Sequence, residues 1–281
     1  MKNYTQHIKI DRDLIIKKVN SFLEEDLPQG DITTDSTIQN NQIIDADIVA
    51  LEDLVFSGKE VIPHCFNAET EIYVNDGEKL LKGTTIAAIN GNTKSILSRE
   101  RVMLNILQRL CGIATHTKKY VDLASPFNVK ILDTRKTTPG MRLFEKYAVK
   151  CGGGYNHRFD LSSGILIKDN HIQSAGSITQ ALEKIDKKYW IELEVDTLEQ
   201  IYEGLENEVD GFLLDNMTPT KIKKAVHIIR SHKSENKLFI EASGGINLTN
   251  ITPYLDTGID AISIGALTHQ IQSSDIKLEF K

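Results

Sequence analysis

Residues 190–215, WIELEVDTLEQIYEGLENEVDGFLLD, decide the fold. The stretch opens on a strand-like run, WIELEV, and ends on a second, GFLLD, whose starts lie 21 residues apart. The residues between them carry a helical pattern. Strand, helix and strand in this span form a βαβ unit, whose strands run parallel.

The same unit recurs on both sides. VKIL (129–132), ILIK (165–168), KLFIEAS (237–243) and DAISIG (260–265) bring the strand candidates to six, and their starts are separated by 36, 25, 21, 26 and 23 residues. So many βα units in succession favour a barrel, and six strands rather than eight exclude a complete eightfold one. Residues 140–151 read as a helix with Leu143, Phe144, Tyr147, Ala148 and Cys151 on one stripe and Pro139 at its start.

Before about residue 125 the rhythm differs. DRDLIIKKVNSFLEEDL predicts a helix after the cap-like Asp11. IIDADIVAL, LVFSG, TEIYV and TTIAAI predict short strands, punctuated by the turn signals Asp76-Gly77 and Asn90-Gly91. A long helix is predicted from near Ser98, with Met103, Ile106, Leu107, Leu110, Ile113 and Ala114 on one face. This half reads as a small α+β unit.

Composition narrows the function. A net charge of −6 over 281 residues argues against a nucleic-acid or membrane-surface binder. Residues 130–171 nevertheless carry eight Lys/Arg against four acids, +4 in an acidic chain. Local positive charge of this kind points to a small anionic ligand. Cys65, Cys111 and Cys151 show no CxxC spacing, which predicts free thiols and a cytoplasmic setting. MKNYTQHIKIDRD lacks the apolar core of a secretion signal, and no apolar run approaches the ~18 residues of a membrane span.

Each predicted strand of the second half ends in a polar or glycine signature: Asp133-Thr134-Arg135-Lys136, Lys168-Asp169-Asn170-His171, Glu192 and Glu194, Asp215-Asn216, Ser243-Gly244-Gly245, and Gly265-Ala266-Leu267. In parallel barrels the C-terminal strand ends hold the active site. Either glycine tripeptide alone reads as an ordinary tight turn. Two at adjacent strand ends, each ahead of an expected helix start, suit a phosphate cradle. Arg135, Lys136, Arg158 and Lys168 are candidates to converge on one anionic ligand, the arginines as planar forks and the lysines as movable charges. Glu194 and Asp215 are candidates to hold ribose hydroxyls, Mg2+ or a neighbouring lysine. Spacing leaves open whether Glu192 or Glu194 enters the site. His157 and His171, each beside a motif cation, are candidate proton donors or neutral hydrogen-bonders.

These motifs resemble the quinolinate phosphoribosyltransferase family over nearly the whole chain. The resemblance runs through EEDLPQGDITT, SRERVMLNILQRLCGIAT, DTRKTTPGMRLFEKYAVKCGGGYNHR, ILIKDNHI, ELEVDTLEQ, LLDNM, EASGGIN and ISIGALTH. It implies an α/β protein with an N-terminal α+β open sandwich, residues 1–112, joined by the tail 269–281. The active site would lie in an incomplete, six- to seven-stranded parallel α/β barrel over 113–268. It also implies a homodimer, with assembly to a hexamer left open, in which Arg101 of SRERV reaches the other subunit's site.

The implied reaction joins quinolinate to 5-phosphoribosyl 1-pyrophosphate, releasing pyrophosphate and CO2 and forming nicotinate mononucleotide for NAD biosynthesis. By the same resemblance Arg101, Arg135, His157 and Arg158, with Lys168, hold the quinolinate carboxylates, and Thr134 and His171 are further substrate-binding candidates. Lys136 and Lys168 neutralise the pyrophosphate, Glu194 and Asp215 meet the ribose directly or through Mg2+, and Ser243, Gly244, Gly245, Gly265, Ala266 and Leu267 receive the 5′-phosphate. The alternatives are a paralogous phosphoribosyltransferase such as a nicotinate-specific enzyme, a Schiff-base lyase using Lys168, and a catalytically silent anion-binding protein.

Overall fold

The computed structural model describes residues 4–233 and 237–281; the first three residues of the polar N-terminal stretch lie outside that range. The first elements are helices α1 (Arg12–Asp26) and α2 (Ile32–Thr37), then strands β1 (Ile43–Ala50), β2 (Leu54–Val55), β3 (Glu69–Ile72), β4 (Lys79–Leu80) and β5 (Thr85–Asn92). Helix α3 (Thr93–Ala124), β6 (Lys130–Leu132), α4 (Arg142–Cys151), β7 (Ile165–Ile167), α5 (Asp169–Ala175), α6 (Ile178–Leu182) and β8 (Ile191–Val195) follow. The chain continues with α7 (Leu198–Glu206), β9 (Gly211–Asp215), α8 (Pro219–Ser231), β10 (Phe239–Ser243), α9 (Thr252–Leu255), β11 (Ala261–Ser263), α10 (Ala266–His269) and β12 (Ile276–Phe280). Two compact units result.

One unit comprises residues 7–118, 138–153 and 270–281. Its sheet is antiparallel in the order β12-β1-β5-β3. Alternation on β1 buries Ala46, Ile48 and Ala50, as period two requires. On α3, Met103, Ile106, Leu107, Leu110, Ile113 and Ala114 are all buried, so the stripe read from sequence is the core face. Each large side chain there contributes on the order of 1.5–3 kcal/mol of burial. The chain from Gln272 to Ile276 crosses this helix at Gly112. An added Cβ there would meet Gln272 O at 2.3 Å, while Ser274 N–H donates to Gln108 O at 2.9 Å.

Three local expectations need correction. Asn90-Gly91 is not a turn but the interior of β5, paired with Asp45 and Ile44. Its glycine is needed for close packing, since a Cβ would meet Ala68 Cβ at 2.6 Å. Asp76-Gly77, by contrast, does turn, with Gly77 at φ +82°. Helix α3 begins at Thr93 rather than near Ser98 because Asn92 Oδ1 accepts the Ser95 N–H at 3.1 Å. Arg101 therefore lies in its third turn. Helix α4 begins at Arg142, not at 140. Pro139 and Gly140 (φ +83°) instead form a turn closed by the Met141 N–H on Thr138 O at 3.0 Å.

The other unit contains the described residues up to Gln6, together with 119–137 and 154–269. Its six strands form one parallel sheet in the order β6-β11-β10-β9-β8-β7, an incomplete barrel whose first strand lies beside its last. Near-continuous burial along β8, β9, β10 and β11 is what helices on one face and a filled interior demand. A capping box of Thr197 and Gln200 starts α7. Gly204 lets that helix lie close on the sheet, because a Cβ would meet Leu193 and Phe212 at 2.7 Å.

The sheet's end strands are β6 and β7. Tyr155 pairs with Leu132 as a one-residue extension of the sheet past β6. Beside it, Gln6 exchanges side-chain hydrogen bonds with the Asn156 backbone, Nε2 to O at 2.9 Å and N–H to Oε1 at 2.9 Å. Tyr4 packs against Gly164, just ahead of β7.

Candidate active site

The polar strand ends meet at one end of the parallel sheet, because register aligns them: Asp215 pairs with Ser243, and Ser263 with Leu132. Thr134, Arg135 and Lys136 leave β6 on a turn in which the Thr134 hydroxyl accepts the Lys136 N–H at 3.0 Å. Arg135 and Lys136 are exposed, and Thr134 is half-buried.

Arg158 is nearly buried and donates from Nη1 to Gly164 O at 3.2 Å. Burial, then the neighbouring Arg135 guanidinium, work against its charge and pull it below the usual guanidinium range; Glu192 and Glu194 favour it. Lys168 pairs with Glu194. Burial pushes the Glu194 carboxyl above its usual range, Lys168 opposes that, and Asp215 and Asp169 add to it. Lys168 and Glu194 thus form an ion pair, with Asp215 and Asp169 acting on the same carboxylate and Arg135 acting on Arg158.

The remaining predicted residues are distributed around this group. The Lys136 stem lies against Gly265, where a Cβ would meet Lys136 Cδ at 2.8 Å, and Lys136 O accepts the Thr268 hydroxyl at 2.6 Å. Gly244 (φ +96°) allows β10 to approach Asn216, whose Oδ1 would lie 2.2 Å from a Cβ there, whereas a Cβ at Gly245 would meet nothing within 4 Å. The expected helix starts are weaker than anticipated. Helix α9 begins only at Thr252, and both α9 and α10 are four residues long. The Leu267 side chain is fully buried and its N–H donates to Ile264 O at 3.4 Å. His171 Nδ1 accepts the Lys168 N–H at 3.0 Å, which fixes the start of α5. Arg101 is exposed on α3, in the unit that carries the antiparallel sheet.

Beneath this group lies a buried layer, in which the sequence points to Asp133, His157 and Glu192 but not to Asn156 or Glu241. Asp133 is fully buried and accepts the His157 N–H at 2.8 Å and Asn156 Nδ2–H at 2.7 Å. His157 points inward: Nδ1 accepts the Arg158 N–H at 2.8 Å, and Nε2 lies 3.2 Å from Glu192 Oε2 and 3.7 Å from Glu241 Oε2. The position of Glu241 inside an otherwise apolar strand, FIEAS, was the available signal.

Glu192 and Glu194 are also now separated. Glu192 is the fully buried one, and Glu194 is the one that meets Lys168.

Known proteins resemble this chain over nearly its whole length. Residues 31–111 match the family model described as quinolinate phosphoribosyl transferase, N-terminal domain, and residues 113–279 match the C-terminal domain model. A probable nicotinate-nucleotide pyrophosphorylase [carboxylating] of Bacillus subtilis is 42% identical over 272 residues, covering 94% of this chain and 92% of that protein. The solved nicotinate-nucleotide pyrophosphorylase of Francisella tularensis superposes with a TM-score of 0.92 at 36% identity, covering 99% of this chain and all of that one. The Ehrlichia chaffeensis enzyme structure gives 0.89 at 41% identity, covering 97% and 100%.

Proposed function

The chain belongs to the quinolinate phosphoribosyltransferase family, and from that premise we propose how its site works. The protein transfers phosphoribosyl from 5-phosphoribosyl 1-pyrophosphate to quinolinate and decarboxylates the adduct, giving nicotinate mononucleotide, pyrophosphate and CO2. What supports the assignment of roles is the Lys168–Glu194 ion pair at the strand ends, with Asp215 acting on Glu194 and Arg135 on Arg158.

Quinolinate brings about two negative charges and the donor roughly four to five, so two mutually repelling anions must share one cradle. Arg135 and Arg158 hold the quinolinate carboxylates, with Lys168 beside them. Lys136, lying against Gly265, faces the pyrophosphate, and Ser243, Gly244, Gly245, Gly265 and Ala266 receive the 5′-phosphate. Glu194 and Asp215 take the ribose hydroxyls. The pyridine nitrogen forms its bond to C1′ as the bond to pyrophosphate breaks, and the positioned charges stabilise that change. The quaternised ring then accepts the electron pair left at C2 as CO2 departs, and a proton replaces the carboxylate there.

The site also suits Mg2+. Glu194 Oε1 and Asp215 Oδ1 are hard oxygen donors, and this ion takes one or two carboxylates plus phosphate oxygens. Bound with the donor, the ion would add positive charge at the pyrophosphate.

A homodimer with Arg101 contributed in trans fits an exposed arginine on an otherwise core-forming helix. No described helix is long and apolar enough to cross a membrane. All three cysteines are free, which fits a reducing, cytoplasmic setting, and burial pushes each thiol up to about 12, which makes them unreactive.

The test is release of labelled CO2 from carboxyl-labelled quinolinate. It should require the phosphoribosyl donor, and nicotinate should not substitute as acceptor. Turnover of nicotinate with no CO2 release from quinolinate would move the chain to a paralogous activity. A Schiff-base lyase is disfavoured because Lys168 Nζ is already engaged by Glu194.

A further inference from the structure

Asn216 follows Asp215 at the end of β9 with φ +52°, in the left-handed region that residues other than glycine rarely enter. Asparagine tolerates that region better than most side chains, and glycine better still. Beyond the neighbouring strand β10 the chain uses glycine there, Gly244 at φ +96° and Gly245 at φ +62°. Position 216 carries a side chain instead.

That side chain has a defined orientation. Its Nδ2 donates to Asp215 Oδ2 at 2.6 Å. A carboxylate oxygen accepts, so the NH2 end of the amide faces Asp215. The carbonyl end lies on the side of Gly244, where an added Cβ would meet Asn216 Oδ1 at 2.2 Å and the Asn216 backbone nitrogen at 2.7 Å. That nitrogen donates to Ser243 O at 2.9 Å, which carries the contact between β9 and β10 one residue past the Asp215–Ser243 pair. The glycine turn is held on its far side as well, since Asn250 Nδ2 donates to Gly245 O at 3.0 Å. The amide is thus confined between a pinned turn and the carboxylate it donates to. Asn216 is nevertheless exposed, so water can replace a lost hydrogen bond there and fold stability has little stake in it. Among the described residues the Asp215 side chain makes no other hydrogen bond.

We infer that Asn216 is a positioning residue for the phosphoribosyl donor. Its amide occupies Asp215 Oδ2 and fixes the rotation of that carboxylate, which leaves Oδ1 for a ribose hydroxyl. Its backbone N–H sets the spacing between the same carboxylate and the Ser243–Gly245 turn that takes the 5′-phosphate. One residue therefore fixes the span between the two ends of the donor's ribose 5-phosphate group, and it has no part in holding quinolinate. The inference deepens the reading of Asp215 as a ribose ligand and rests on it.

Substitution separates this role from a structural one. Asn216→Gly keeps the left-handed backbone and the bond to Ser243 and removes only the amide. It should raise KM for 5-phosphoribosyl 1-pyrophosphate about tenfold, hold KM for quinolinate within about twofold, and leave the urea midpoint unchanged. Asn216→Ala loses the same amide but must hold positive φ with a Cβ. It should match the glycine variant in donor KM and fall below it in urea midpoint. In an Asp215→Ala background, Asn216→Gly should change donor KM by less than about twofold, because the carboxylate it orients is gone.

Donor and quinolinate KM rising together, a donor KM unchanged by either substitution, or a tenfold effect that persists without Asp215 would overturn the inference. If Asn216→Gly does not fold, Asn216→Ala alone and combined with Asp215→Ala reads the same quantities; loss of the fold in both would make the residue structural and overturn it too. Asp215→Ala by itself should raise donor KM by more than Asn216→Gly does. If it leaves donor KM unchanged, the ribose assignment has failed; if it raises donor KM and Asn216→Gly does not, the role of Asn216 alone has failed.

Discussion

Glu192 and Glu194 stand two residues apart on one face of β8, yet they belong to different regions of the barrel. Glu192 lies in the buried layer with Tyr4, Asp133, His157 and Glu241, where the Tyr4 hydroxyl donates to it at 2.9 Å and His157 Nε2 lies 3.2 Å away. Glu194 lies in the outer group, paired with Lys168 and acted on by Asp215, where the side chains are partly exposed. The comparison teaches that polar groups of the same strand divide by depth. The inner set holds the backbone in place, and the outer set is left to meet charge that arrives with substrate.

Substitution should expose that division. Arg135→Ala, in the outer group, should lower kcat/KM for quinolinate by about a thousandfold by removing a charge-assisted carboxylate contact, while unfolding free energy shifts by less than ~0.5 kcal/mol. Steady-state kinetics beside urea unfolding checks both halves, and a matching loss of stability would erase the distinction.

Asp133→Asn should show the converse. It sets an amide against donors that now meet a carboxylate, at a cost of about 2–4 kcal/mol, read as a lowered denaturation midpoint at unchanged slope.

Mixing Arg101→Ala with Lys168→Ala subunits tests whether the outer group draws on a second chain. Random exchange should restore up to about a quarter of normal activity, because half of the dimers would carry one intact site. No recovery despite exchange demonstrated by native mass spectrometry would confine the site to one subunit.

The smallest effect concerns Glu194. Its folded-state carboxyl titrates above the unfolded value, mainly through burial. Its stabilising contribution is therefore full below the unfolded value and lost as pH rises through the folded one. Urea midpoints of Glu194→Gln should thus gain on the unsubstituted protein as pH climbs just past the ordinary carboxylate range, and parallel curves would contradict this.

Much of the architecture was legible because it is written in period and spacing. WIELEV and GFLLD, 21 residues apart, can hardly be anything but parallel neighbours, and the α3 core stripe appears in the sequence as it packs. Failures came where a distant partner overrides a local signal. Asn90-Gly91 has the dipeptide of a turn, but pairing with Ile44 and Asp45 holds it extended. Pro139 has the look of a helix start, but Gly140 at positive φ makes the pair a turn. At the site, cations at strand tips were visible as charge in an odd place. Tyr4 was not, because 188 residues separate it from Glu192, and no spacing rule reaches so far.

The edge strand β12 pairs along β1 from Ala46↔Phe280 to Ala50↔Ile276. During synthesis every strand of the barrel leaves the ribosome before β12 does, so until then β1 is paired only with β5 and its other edge is open. Exposed strand edges recruit other chains. That interval is when the polypeptide is most open to chaperone capture or clumping, and a stop codon a dozen residues early would make the interval permanent.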